Sequence, residues 1–246
     1  MYHFFTDNCP DEGGIITITG LDVNHIGNVL RLHSGEKITL SAKEAAYVCE
    51  IVAIDKTSVT ARVLEKAPDN ELPVRITLYQ GLPKSDKMEL IIQKAVELGA
   101  YSVVPVENER TIVHLDDKKK KTRTERWQAI SESAAKQSGR NIIPEVTEPV
   151  SYKKALDMAE GSLMLIAYEG EKTMQALGEC MSKLSSYSDI SIFIGPEGGY
   201  SEEEVLLAEK EGAIRVSLGC RILRTETAGL ALLSAIMIQL EVQKHE

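Results

Sequence analysis

The chain has no G-x-x-x-x-G-K-[ST] loop and no G-x-G-x-x-G fingerprint, so two common phosphate-cradling devices are missing from its 246 residues. Its four cysteines, Cys9, Cys49, Cys180 and Cys220, form no C-x-x-C pair. No metal site or disulfide framework is therefore expected, and reduced thiols in a cytoplasmic setting are. The N-terminal MYHFFTDNCPDEGG lacks the basic and apolar regions of a signal peptide. The longest apolar stretch, GLALLSAIMIQLEV from Gly229 to Val242, is too short to cross a bilayer, so a buried helix and no membrane are expected. Excess positive charge is missing too. A net charge of −9 argues against indiscriminate binding to nucleic acid. Internal repeats are absent, and one lysine run is the only low-complexity tract. What remains is 43% apolar and 26% charged, enough to bury the core of one large domain or two modest ones.

The acidity is uneven. From Lys84 to Arg140 there are twelve Lys/Arg against nine Asp/Glu, so this segment carries +3 and the remainder −12. Within it, DDKKKKTRTER concentrates Lys118 to Lys121, Arg123 and Arg126. This tract reads either as a solvated loop or as a contact to an RNA backbone.

Two rhythms divide the chain. Residues 1–70 hold short β-type runs, among them GIITIT, EKITL and AYVCEIVAI. In TSVTARVLE, Val59, Ala61 and Val63 alternate with Thr60 and Arg62. One helical patch, LDVNHIGNVLRL, interrupts them, with Ile26, Val29 and Leu30 expected on one side. The expectation is a small β-barrel. Residues 66–73, KAPDNELP, read as a linker. From residue 74, apolar strands (RITLYQG, SVVPV, LMLIAY, ISIFIG, IRVSL) alternate with helical segments. Met88, Ile91, Ile92 and Ala95 recur at helical spacing after a capping-box-like Asp86 and Glu89, with Gly99 as the stop. Trp127, Ile130 and Ala134 mark a second helix. A third starts at Ser201, with Glu204 as its capping partner, and ends near Gly212. Such βα alternation implies a mostly parallel sheet covered by helices.

Three loops follow three of these strands: AYEGEKT after Ala167, GPEGGYS after Ile194 and LGCRILRTETAG after Ser217. Ligands of open α/β sheets collect at the carboxyl ends of strands, so the loops can line one pocket. Glycines 195, 198 and 199 permit close approach of backbone to a ligand. A structural turn is the alternative for this bend. Ser201 and Glu204 already serve the next helix end, leaving little reason to bind phosphate there. A neutral or cationic small molecule suits the carboxylates better. In the third loop, Thr225 is expected as N-cap, with Glu226 and Thr227 in the first turn. Arg221 and Arg224 flank apolar Ile222 and Leu223, which suits a loop whose backbone clasps a ligand.

IGPEGGYSEEE together with LGCRILRTETA closely resembles the RsmE family of bacterial 16S ribosomal RNA methyltransferases. HIGNVLRLHSGEKI, KSDKMELIIQKAVELGAYSVVPVENERT and ERWQAISESAAKQSGRNIIPEV are similar to the family as well, in order along nearly the whole chain. The resemblance implies methylation of uridine N3 with S-adenosylmethionine, at the position conventionally called uridine 1498, in the assembled small subunit. It implies a PUA-like β-barrel RNA-binding domain over 1–70. It also implies a SPOUT α/β methyltransferase domain over 74–246, knotted as a trefoil near its C-terminus, in a homodimer. A SPOUT enzyme with another RNA target and a non-enzymatic RNA-binding protein are the rival readings; a phosphate-binding NTPase lacks its lysine loop.

Carried onto this chain, the resemblance implies cofactor contacts from Ala167, Tyr168, Gly195, Pro196, Glu197, Gly198, Gly199, Leu218, Gly219, Ile222, Leu223 and Thr227. Arg224 is expected to stabilise the uridine anion, and Glu197 or Glu226 to accept its proton, unless both only brace the loops. Arg31, Lys84, Lys87, Arg110, Lys136 and Arg140 are expected to touch RNA, or else to serve as surface ion-pair partners. His25 and Tyr200 read equally as packed residues or RNA ligands.

Overall fold

The computed structural model describes residues 1–43 and 45–244. Two compact units emerge, one of residues 1–71 with 135–143, the other of residues 72–134 with 144–246.

In the first unit, β1 (Tyr2–Thr6), β2 (Ile15–Thr19), β3 (Lys37–Ala42), β4 (Ala45–Ile54) and β5 (Ser58–Lys66) form one sheet in the order β1-β3-β4-β5-β2. The β3-β4, β4-β5 and β5-β2 pairs are antiparallel, while β1 runs parallel to β3. Alternation places Val59 and Ala61 in a core with Phe4, Ile16, Ile38, Leu40 and Ile51. A short helix α1 (Leu21–Asn24) and a π-helical turn His25–Val29 cover it. Ile26 is buried there, but Val29, expected beside it, is exposed, because the wider π turn rotates it off the helical face.

In the second unit all strand pairs are parallel. The strands are β6 (Arg75–Gly81), β7 (Ser102–Glu107), β8 (Glu145–Val146), β9 (Val150–Ser151), β10 (Leu163–Ala167), β11 (Asp189–Ile194) and β12 (Ile214–Val216). Their order is β12-β10-β11-β6-β7-β8, with β9 also on β7. The helices are α2 (Lys87–Glu97), α3 (Asp117–Ser138, whose residues from 135 on belong to the first unit), α4 (Tyr152–Met158), α5 (Gln175–Met181), α6 (Glu202–Lys210) and α7 (Thr225–Lys244). Both faces of the sheet are buried, which explains its unbroken apolar runs. Tyr79 and Phe193 stack at 4.4 Å on one face, within a cluster that takes in Tyr152 of α4 and Val205 of α6. Gly229 of α7 lies over Leu78, Gln80 and Ile194 on the other.

Met88, Ile91, Ile92 and Ala95 are all buried, and Gly99, at φ +91°, ends that helix's turn as expected. The Ser201–Glu204 capping box forms in full. Three local expectations are corrected. Asp86 makes no side-chain cap bond, and Glu89 pairs with Arg126 at 2.8 Å instead. The lysine run is helical, because α3 begins at Asp117. The final helix has 20 residues, longer than its apolar stretch, so it passes for a membrane span in length and composition. Its Leu232, Leu233, Ile236 and Leu240 are nevertheless buried within the protein.

Candidate functional site

Because β12, β10 and β11 are parallel neighbours, their carboxyl ends lie side by side. The loops that leave them enclose a cavity of about 830 Å³. Ala167, Tyr168, Gly195, Pro196, Glu197, Gly199, Leu218, Gly219, Ile222, Leu223 and Arg224, picked out from sequence, line it. Gly198, Thr227 and Glu226 do not reach its wall. Gly198 turns instead toward Arg110, whose Nη1 donates to the Gly198 carbonyl at 3.2 Å.

The Gly-Pro-Glu-Gly-Gly bend is held from below and from both sides. Thr225, expected to cap α7, instead donates its hydroxyl to the Gly195 carbonyl at 2.6 Å. Thr225 in turn accepts from Nε2 of the fully buried Gln80 at 2.8 Å. The hydroxyl is spent on the neighbouring loop because Thr225 is already inside the helix. Gly81, at the end of β6, makes room for Pro196. A Cβ there would lie 2.5 Å from the proline nitrogen.

Lys87, read from sequence as an RNA contact, is a wall of the cavity. Its Nζ lies 3.1 Å from Glu197 Oε1 and 3.1 Å from Glu226 Oε2. The Lys84 backbone N–H adds a bond to Glu197 Oε1 at 3.1 Å. Burial works to raise the Glu197 carboxyl, but its own amide, the Lys84 amide and the Lys87 ammonium hold it below the usual carboxylate range. Glu226 follows the same pattern: burial opposes, while its own amide, Lys87 and the charge of Arg224 prevail. Carboxylates so held are weak bases, an obstacle to the proton-acceptor role expected of them. Arg224 itself is exposed and ends in no hydrogen bond among the described residues.

Other expected residues lie elsewhere. Tyr200 is the exception: it contributes to the cavity wall, but its ring is buried against that of Tyr152, 5.7 Å away, and packs the turn. His25 sets its ring edge-on to Phe4. Arg140 is 3% exposed; its Nε donates to Glu71 Oε1 and Oε2 at 3.0 and 2.9 Å and its Nη2 to Oε2 at 2.5 Å, and Lys136 pairs with Asp22 at 3.0 Å. Arg31 and Lys84 present exposed side chains. Sequence reading missed Gln80 and Gly81, which carry no local signal of their task. It also passed over Glu169 and Glu171 as individual wall residues, though it picked out their loop. Among the described residues no cluster of three His, Cys, Asp or Glu could hold a metal.

The walls are glycine backbone, apolar side chains, the carboxylates of Glu169, Glu171 and Glu197 and the cations of Lys87, Lys172, Arg221 and Arg224, and α6 satisfies its own N-terminus. Such a cavity suits a small molecule with both apolar and polar parts, and the capped end of α6 is not left to cradle a polyphosphate. Known proteins agree with that chemistry. Residues 70–237 match the RNA methyltransferase domain family, and residues 18–64 the RNA methyltransferase PUA domain. Ribosomal RNA small subunit methyltransferase E of Bacillus subtilis is 40% identical over 242 residues, covering 96% of this chain and 94% of its own. The chain belongs to the ribosomal RNA small subunit methyltransferase E family. The Mesomycoplasma hyopneumoniae member is 33% identical and covers 95% of this chain and 98% of its own. The crystal structure of the Neisseria gonorrhoeae member bound to S-adenosyl methionine superposes with a TM-score of 0.81 at 37% identity, covering 96% of both chains.

Proposed function

We propose that this S-adenosylmethionine-dependent ribosomal RNA methyltransferase acts on N3 of a uridine in 16S RNA, the position conventionally called uridine 1498, within the assembled small subunit. The observation that carries this reading is Arg224. It is an exposed guanidinium with no hydrogen bond of its own, on the rim of a glycine-walled cavity.

The residues present fit the cofactor: bends 167–172, 194–199 and 217–223 offer backbone to adenine, ribose and methionine, and the wall carries both carboxylates and cations for a molecule that bears both signs of charge. When bound, S-adenosylmethionine supplies an electrophilic methyl group. Uracil N3 lies on the Watson–Crick edge, so the base must be unpaired or splayed out to reach the cavity. Arg224 donates to O2 or O4 and favours the uridine anion as N3 loses its proton. That proton goes to water, since backbone amides and Lys87 hold Glu197 and Glu226 ionised. Holding the reacting groups in line supplies much of the rate.

The same reading takes the first unit as an RNA-binding PUA-like barrel with Arg31 as a candidate phosphate contact, and Lys84 and Arg110 as candidate contacts on the second unit. Arg140 and Lys136 are assigned as struts inside the first unit because each is already paired. A trefoil knot through the cofactor loops, a cytoplasmic location and a homodimer complete it. Exposed Ala231, Ile238 and Val242, which share one face of α7, support the dimer.

Nucleoside mass spectrometry of small subunits treated with the protein and labelled S-adenosylmethionine tests the proposal. Label on uridine N3 is expected, with Arg224→Ala slowed about a hundredfold. Label on another base or on a ribose hydroxyl would mean a different target, and unlabelled RNA with undiminished cofactor binding would mean a non-enzymatic RNA-binding protein.

A further inference from the structure

Lys87 stands where three distant segments meet. It opens α2, Glu197 sits in the bend after β11, and Glu226 lies in the first turn of α7. Side-chain exposures of 29%, 27% and 17% keep this cluster partly out of water. Glu226 Oε2 is buried and makes no well-aimed hydrogen bond, so the ammonium at 3.1 Å is what balances it. The surrounding charges are few. Arg224 acts on Glu226, and the Lys84 amide caps Glu197. Arg110 is turned to the Gly198 carbonyl and Glu89 to Arg126. Asp86 precedes Lys87 on an exposed turn.

We infer that Lys87 is a positioning residue: its ammonium ties the Gly-Pro-Glu bend to the first turn of α7 and so fixes Arg224 at the cavity. Arg224 stands one residue before α7, and its carbonyl accepts from Thr227 N at 2.8 Å and Ala228 N at 2.9 Å. Movement of the Glu226 turn therefore moves Arg224. Without Lys87, two carboxylates that had shared one nitrogen face each other in a half-buried place. Each then loses a cation and gains a like-charged neighbour, so their affinity for a proton rises.

The inference rests on the proposed reaction only for the role of Arg224, and the experiment separates the two. Hydrogen exchange of the cofactor-free protein needs no catalysis. In Lys87→Met, the amides of Gly199, Thr227 and Ala228 should exchange about tenfold faster. Those in the middle of α6 should not change, and Lys87→Arg should stay near wild type. In single-turnover methyl transfer at saturating small subunit, Lys87→Met should be about tenfold slower at neutral pH.

The pH dependence has a definite sign. The paired glutamates titrate low, so wild type shows no loss from them as pH falls toward about 5. In Lys87→Met the raised carboxyl protonates earlier, and an acid limb appears. Wild-type exchange and pH profile in Lys87→Met would overturn the inference. So would a raised KM for the subunit with an unchanged saturating rate, the signature of an RNA contact. If wild type transfers no methyl group, the proposed reaction fails and the exchange measurement alone decides the inference.

Discussion

Gly81 shows how a single missing side chain shapes the site. A Cβ there would meet Pro196 N at 2.5 Å and Asn108 Oδ1 at 2.8 Å, and neither backbone nor a buried amide can step aside cheaply. Gly81→Ala is expected to push out the bend that starts at Gly195. It should destabilise the fold by about 1–3 kcal/mol and weaken cofactor binding. Denaturant unfolding and calorimetric titration check both, and wild-type affinity would refute the cradle. Nothing around Gly81 in the sequence announces this, because Pro196 is supplied by the bend after β11, far along the chain. Thr225 teaches the same lesson. Its place ahead of an apolar helix reads as a cap, yet it is already the first helical residue, and its hydroxyl donates to the Gly195 carbonyl while accepting from Gln80. Lys87 carries no local mark of two carboxylate partners, whereas the glycines at 195, 198 and 199 declare a close approach by their composition.

Helices α2 and α6 were legible because their apolar residues recur at the helical period and their ends carry turn chemistry. Their starts nevertheless differ. Ser201 and Glu204 exchange bonds in a full box, and Glu204 Oε1 also accepts from Asn108 Nδ2 and Glu109 N, each at 3.0 Å. Asp86 and Glu89 have the same spacing but follow Ser85 at φ +58°, a turn that leaves the Asp86 side chain without a cap bond. Glu204→Ala removes the box and strands two donors of the β7–α3 connection. A loss of about 2–3 kcal/mol in urea unfolding with an unchanged m value is expected. A loss under about 0.5 kcal/mol would mean that water replaces the carboxylate. The lysine run was less legible. Four successive cations show no apolar period, and helix follows from Trp127 and Ala134 downstream, which anchor α3.

At the scale of the molecule, an acidic protein acts on an acidic polymer, so recognition must come from local cations and shape rather than bulk attraction. Exposed Ile238 and Val242 on α7, at 57% and 50%, are a cost that a second copy of the chain would relieve. On the proposed dimer, wild type should sediment as two copies in sedimentation velocity and Ile238→Asp as one. Wild type sedimenting as a monomer would dismiss the dimer.

From composition and period alone came the β-rich first segment, the parallel α/β arrangement of the second and the three loops at one sheet edge. Burial patterns and turn residues are short-range properties, written within ten or so residues. Tertiary structure decided which loops became neighbours, since strand order β12-β10-β11-β6 is not chain order. It also placed residues 135–143 with the first unit and set Lys87 between Glu197 and Glu226. Pairings across more than a hundred residues depend on the closing of the whole sheet, and no local pattern in the chain records them.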